Sequence, residues 1–277
     1  MKKGLSDAVF IPRWDTHAFL QAAGEAGFDG VELNLREKGG TLTFDTSPAE
    51  AKSLAKMAEK HGLEIASLST GLHNHYALSS GDDSKRRRGE EIGLRMIELA
   101  ARMGVSIIQI VPGVVTPDVP YDDAFNRAQE SLARLGSEAS RAGITIGIEN
   151  VCNKFLPSPL EFVRFLDELN SPSVQAYFDN GNAAVTGHPE HFIQLLGRRI
   201  VAMHLKDYRE SVGDFVSILE GDINWSVIMK ALSDIPYAGY AMATPPYPYA
   251  HFPERAVDTA FRHLVSVLEL SEPVENR

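Results

Sequence analysis

Three short apolar runs in this 277-residue chain each end in residues that bind metals or carry protons. Residues 144–148 lead into Glu149 and Asn150. Residues 174–178 lead into Asp179, Asn180, Gly181 and Asn182, and residues 200–203 lead into His204, Leu205, Lys206 and Asp207. A glutamate, an aspartate and a histidine delivered by successive strands to one rim form an oxygen- and nitrogen-rich set that suits Mn²⁺, Mg²⁺, Co²⁺ or Zn²⁺. Such an ion leaves positions open for substrate oxygens. It can polarise a sugar carbonyl and stabilise the enediolate formed when the neighbouring carbon loses its proton. Glu149, Asp179 and His204 are therefore the candidate metal ligands. The sequence also allows the plainer reading of three unrelated polar residues beside loops.

Parallel strands would have to bring these groups together, and the chain repeats the pattern that makes them. A helix, a glycine stop and an apolar strand recur around Gly27, Gly62, Gly104 and Gly143, at intervals of 35, 42 and 39 residues. Each interval is about the length of one strand–helix unit. The strands are apolar throughout rather than alternating, as befits a parallel sheet covered on both faces. The first strand is expected over residues 5–11. Later strands are expected at 28–35, 63–68, 105–111, 144–148, 174–178, 200–205 and 240–243. Asp15 or Thr16 should cap the first helix, and Ser158-Pro159 should open a later one. The last helix is expected over 254–268, and residues 271–277 should form a loose tail. No linker or shift in composition divides the chain. The expectation is a single-domain (β/α)8 TIM barrel over residues 1–277, with a doubly wound open sheet as runner-up, disfavoured because no Gly-x-Gly-x-x-Gly turn follows strand one.

Composition narrows the function classes. The net charge of −10 argues against nucleic-acid binding, which needs a basic surface. A single cysteine, Cys152, excludes an intrachain disulfide framework and fits a reducing cytoplasm. It reads as a small buried or half-buried side chain rather than a nucleophile. No apolar run approaches the roughly 18 residues of a membrane span, and the start has no signal-peptide pattern. A cytoplasmic enzyme without a membrane or nucleic-acid partner is expected.

Other rim residues carry candidate roles. His75, in the His73-Asn74-His75 run after strand three, could contact sugar hydroxyls. Asn182 would support the Asp179 turn or touch substrate. The charged run 82–88 reads as a solvated helix start, or alternatively as a phosphate clamp. Trp14 could wall the pocket or cover the barrel end. The Pro-Pro-Tyr-Pro-Tyr stretch at 245–249 suits a lid or a subunit contact, so a homo-oligomer is compatible with the sequence.

Nearly the whole chain resembles the sugar phosphate isomerase/epimerase family of xylose-isomerase-like barrels. The resemblance is carried by Gly30-Val31-Glu32-Leu33, Gly147-Ile148-Glu149-Asn150-Val151, Asn153-Lys154-Phe155-Leu156, Phe178-Asp179-Asn180-Gly181-Asn182, His204-Leu205-Lys206-Asp207 and Glu220-Gly221-Asp222-Ile223-Asn224-Trp225. It implies that Glu149, Asp179 and His204 hold a divalent metal and that Glu149 doubles as a proton-transferring base. It also implies that Lys206 lies beside the substrate oxygens and that Glu32 lines the substrate pocket floor. The substrate would be a small sugar or sugar phosphate, interconverted by isomerisation or epimerisation.

In one place the chain departs from the family pattern. A fourth acidic ligand belongs at the end of strand eight, but residues 237–246 read YAGYAMATPP and contain no carboxylate. Thr244 occupies the expected position, unless a small deletion removed the glutamate, and His251 is the nearby substitute. The alternatives are a lyase or dehydratase acting on a keto-sugar or keto-inositol, and a non-catalytic sugar-binding relative.

Overall fold

The apolar runs form strands because their side chains are buried on both faces. In the fragment from Val174 to Asp179, five of the six residues are buried. The computed structural model describes residues 1–10, 14–246, 249 and 251–270. Among them, eight parallel strands form the barrel: β1 (Lys2–Ser6), β2 (Gly30–Arg36), β3 (Glu64–Ser69), β4 (Ile107–Ile110), β5 (Thr145–Glu149), β6 (Val174–Asp179), β7 (Ile200–Leu205) and β8 (Tyr240–Ala243). Neighbours pair in sequence order, and β1 pairs in parallel with both β2 and β8, so the sheet closes on itself. This is the (β/α)8 barrel that the repeats anticipated. The doubly wound sheet is excluded by the closure.

Helices α1 (Thr16–Ala26), α2 (Pro48–Lys60), α3 (Asp83–Met103), α4 (Tyr121–Ala142), α5 (Pro159–Leu169), α6 (Pro189–Leu196), α7 (Trp225–Ser233) and α8 (Pro253–Glu269) return the chain between strands. Their ends follow local chemistry. Asp15 caps α1 by accepting the His17 and Ala18 N–H groups, and Gly27 stops it at φ 99°, a conformation that disfavours side chains with a Cβ. Ser47 and Glu50 form a capping box at α2, and Ser158 caps α5 ahead of Pro159. Aromatic contacts seal the helical layer to the sheet. Phe178 of β6 stacks on Phe192 of α6 with centroids 6.0 Å apart. Each such buried ring contributes about 1.5–3 kcal/mol.

The boundaries differ from expectation where polar groups end the ladder. Strand β1 stops at Ser6 rather than Ile11, because the Asp7 carboxylate accepts the Asn34 N–H at 2.8 Å and the Asp7 carbonyl accepts the Phe10 N–H. Residue 11 and the tail at 271–277 lie outside the described residues, as do positions 247 and 248 of the proline-rich stretch. One added element matters for the site. After β7 the chain makes an antiparallel hairpin of Asp207–Arg209 with Asp214–Val216. Buried Asp207 anchors it by accepting from the N–H groups of Tyr208, Leu219 and Ile223 and from the Trp225 indole.

Candidate metal and active site

Because every barrel strand is parallel, all eight C-terminal ends open on one rim, and the candidate residues meet there. Glu149 ends β5, Asp179 ends β6, and His204 lies near the end of β7, in register with Asp179. One ligand atom from each of the three can be chosen so that all lie within 4.8 Å of one another. All three side chains are buried; Glu149 and His204 line a cavity of about 400 Å³ together with Lys206, Asn182 and Thr244, while Asp179 is fully buried beside them.

The histidine is held between two acids. Nδ1 of His204 stands 2.7 Å from Glu149 Oε1 and 3.7 Å from Asp179 Oδ2, and Nε2 stands 2.9 Å from Glu32 Oε1. Burial alone would lower the imidazole pKa, but the Glu32 and Glu149 carboxylates outweigh it and raise it to about 10. Burial would likewise raise Glu32, yet His204 and the hydroxyls around it hold that carboxyl down at about 2. For Glu149 burial wins, with the Asp179 charge adding to it, so its pKa is raised despite His204 and Lys206. A carboxylate destabilised in this way is better suited to accept a proton than one resting at the usual value.

Lys206 projects from the end of β7 with Nζ 2.7 Å from Asp179 Oδ2, and its ammonium lies 5.1 Å from the Phe215 ring centroid. The Asp179 and Glu149 charges overcome the burial penalty and raise the lysine pKa, so it stays cationic. Two close approaches require glycine. A Cβ on Gly181 would fall 2.6 Å from Lys206 Cβ, and one on Gly147 would fall 2.9 Å from Tyr177 Cβ.

The donor set fits a divalent cation. Asp179 Oδ2 is buried and accepts no well-directed hydrogen bond, although Lys206 stands beside it. Asp179 Oδ1 is used by the Asn182 N–H. The three side chains thus turn two carboxylate oxygens and Nδ1 toward one point, and Glu32 takes the far nitrogen of the ring.

Several expected residues sit elsewhere. His75 is exposed and lies off the cavity, because the tight 3-10 turn of Leu72–Asn74 turns Asn74 inward instead. His73 is buried with Nε2 3.1 Å from the Gly89 carbonyl, and burial lowers its pKa to about 4. Asn182 both lines the cavity and braces the turn, donating to the Asn150 carbonyl at 2.9 Å. In the 82–88 run Asp82 caps α3, Arg86 pairs with Asp83 and Arg88 pairs with Glu91, and none of its residues lines the cavity. Trp14 packs on Phe10 and Phe19, away from the cavity. His251 is exposed and lies off the cavity too, so it completes no ligand set. Cys152 is exposed rather than buried, and partial desolvation with the Asp179 charge pushes its thiol up to about 11, the wrong direction for a nucleophile.

Glu32 is at the pocket floor where the resemblance puts it. It is 1% exposed, and four side chains already occupy its oxygens. Sequence reading missed Gln109, which donates to Glu149 Oε2, and the Asp214 and Phe215 side chains that the hairpin adds to the cavity wall. A glutamine alternating inward along β4 could have flagged the first. The hairpin carried no sequence signal beyond Gly213.

A closed parallel barrel with two acids, a histidine and a lysine at its C-terminal mouth defines a class, and the comparisons agree with it. The chain belongs to the xylose isomerase-like TIM barrel family, whose model matches residues 20–267. It is similar to the L-ribulose-5-phosphate 3-epimerase UlaE of Escherichia coli (strain SMS-3-5 / SECEC), with 29% identity over 247 residues, 87% of this chain and 84% of that protein. Among solved structures, a D-psicose 3-epimerase with D-tagatose from Clostridium cellulolyticum H10 has a TM-score of 0.81 at 17% identity, covering 99% of this chain and 100% of the other. The IOLI protein with a binding zinc atom has a TM-score of 0.83 at 19% identity, over 99% and 100% of the two chains. At these identities the two structures establish a common fold. Among the described residues, no helix is long and apolar enough to cross a membrane.

Proposed function

We propose that this chain is a divalent-metal-dependent epimerase acting on a ketose or ketose phosphate through proton transfer at the carbon beside the carbonyl. It is an enzyme of the sugar isomerase/epimerase type. The observation that carries the reading is the convergence of Glu149, Asp179 and His204, two of which line a cavity large enough for a small sugar. The similarity to L-ribulose-5-phosphate 3-epimerase over most of both chains supports the same class.

In this reading Glu149, Asp179 and His204 hold the metal. A divalent cation there supplies positive charge beside the substrate's carbonyl and hydroxyl oxygens, which acidifies the adjacent C–H. Glu149, desolvated and steadied by Gln109 and His204, accepts that proton, and inversion is completed by a solvent-derived proton reaching the opposite face of the enediolate through the cavity. Lys206 stays cationic at the wall and donates hydrogen bonds to the oxygens that gain charge as the proton leaves. Asn182 keeps the Asp179 turn in place and presents its amide to sugar hydroxyls.

The reading is tested by purifying the protein, measuring bound metal by mass spectrometry, and assaying L-ribulose 5-phosphate and D-psicose with added Mn²⁺. Epimer formation that stops on chelation and returns with metal is the expected result. A protein that retains no divalent metal and converts neither sugar in its presence would refute it.

A further inference from the structure

Glu32 is at the cavity floor, but its oxygens are occupied in a way that aims a ligand rather than binds a sugar. A carboxylate offers about four acceptor positions, and four donors fill them here. Oε1 receives Ser6 Oγ at 2.9 Å and lies 2.9 Å from His204 Nε2, while Oε2 receives Ser67 Oγ at 2.9 Å and the Tyr177 hydroxyl at 2.7 Å. These donors come from β1, β3, β6 and β7, so Glu32 is tied to strands around much of the barrel. The Tyr177 ring also packs at 4.5 Å, centroid to centroid, from the His204 imidazole. With a residue exposure of 1%, no acceptor capacity is left for a substrate hydroxyl.

We propose that Glu32, clamped by Ser6, Ser67 and Tyr177, is a positioning residue that fixes the ring orientation and tautomer of His204, so that Nδ1 is the nitrogen offered to the metal. An imidazole can present either nitrogen. Engaging Nε2–H with a fixed carboxylate keeps Nδ1 as the nitrogen that faces Glu149 and Asp179 and yields its proton to an incoming cation, and it makes that nitrogen a stronger donor. Glu32 acts through His204 and does not touch substrate. The inference rests on the metal site proposed above.

The test compares Mn²⁺ affinity by calorimetry, and the visible spectrum of the Co²⁺-loaded protein, for the parent, Glu32→Gln, Glu32→Leu and Tyr177→Phe. Glu32→Gln can still accept from Nε2–H but carries no charge, whereas Glu32→Leu removes the contact. Affinity should fall in the order parent, Gln, Leu, by about 10- to 100-fold overall, and the Co²⁺ bands should shift as the ligand nitrogen is released. Tyr177→Phe, which keeps the carboxylate but loosens its clamp, should show a smaller fall in the same direction. If Glu32→Leu does not fold, Glu32→Gln and Tyr177→Phe carry the test. Parent-like Mn²⁺ affinity with an unchanged Co²⁺ spectrum in the folded variants would overturn the role of Glu32 alone. So would a raised KM with unaltered metal affinity, which would make it a substrate ligand after all. A parent protein that binds no Mn²⁺ would overturn the metal site and this inference together.

Discussion

His204 of β7 and Met242 of β8 are lateral partners in the barrel, just as His204 and Asp179 are on the other side. The row of residues that supplies two metal-ligand candidates therefore runs on into a thioether. Met242 is buried, and its methyl group fills the space above Gly4. Thr244 lies two residues further along, on the cavity wall, with its N–H donating to the Leu205 carbonyl at 3.2 Å. Of the two positions, only 244 faces the cavity. Thr244→Glu should tighten Mn²⁺ binding by about tenfold or more, since it adds a charged oxygen donor. Met242→Glu should not, and should cost a few kcal/mol of stability by burying a carboxylate against the floor of the barrel. Titration calorimetry and thermal melts on both variants check this, and tighter binding by Met242→Glu would reverse the assignment.

Removing the histidine should have two separable effects. His204→Ala should abolish metal retention. It should also leave Glu32 and Glu149 as buried carboxylates without their shared partner, a loss typically worth about 3–5 kcal/mol. Equal metal content, or equal stability, in variant and parent would contradict this.

Lys206 competes for the same oxygen as the metal. Its ammonium lies 2.7 Å from Asp179 Oδ2, so it both neutralises that carboxylate and repels an incoming cation. Lys206→Met should therefore strengthen Mn²⁺ binding several-fold while lowering kcat by about 100-fold or more, because the donor to the charged oxygens is lost. Weaker metal binding in this variant would show that the lysine supports the site rather than opposing the metal.

Asp7 lies just past β1 and is fully buried. Burial outweighs the Asn34 N–H and the Arg36 charge and raises its pKa to about 7. A carboxyl with a raised folded-state pKa contributes stability below its unfolded value, and that contribution is lost as pH rises through about 7. Asp7→Asn keeps an acceptor for the Asn34 N–H and removes the charge. Relative to the parent it should gain stability between pH 4 and pH 8, by at most roughly 4 kcal/mol. Denaturant melts across that range check the sign, and a parent–variant difference that stays flat with pH would refute it.

The barrel was legible because its signals are local. Gly27, Gly104 and Gly143 stop helices in the left-handed conformation, and the apolar runs that follow can only be strands buried on both faces. The convergence of Glu149, Asp179 and His204 followed from strand-end position alone. What escaped was decided by long-range side-chain contacts. The pattern Gly30-Val31-Glu32 places an acid on β2, but only the folded barrel brings Ser6, Ser67, Tyr177 and His204 to it. His75 and Asn74 are adjacent in sequence, and the geometry of one 3-10 turn decides which of them faces the cavity. Asp214 reaches the wall only because Asp207 anchors a hairpin through contacts as far away as Trp225.

The central claim is that Glu149 moves a proton at the carbon beside a ketose carbonyl in a metal-dependent site. Solvent deuterium incorporation tests it most directly. L-ribulose 5-phosphate and D-psicose incubated in D₂O with the Mn²⁺-loaded parent should gain deuterium at that carbon, as read by proton NMR. A chelator should stop the exchange, and Glu149→Gln should slow it by about 1000-fold or more. No incorporation by the metal-loaded parent, or incorporation that persists through chelation and in Glu149→Gln, would contradict the account.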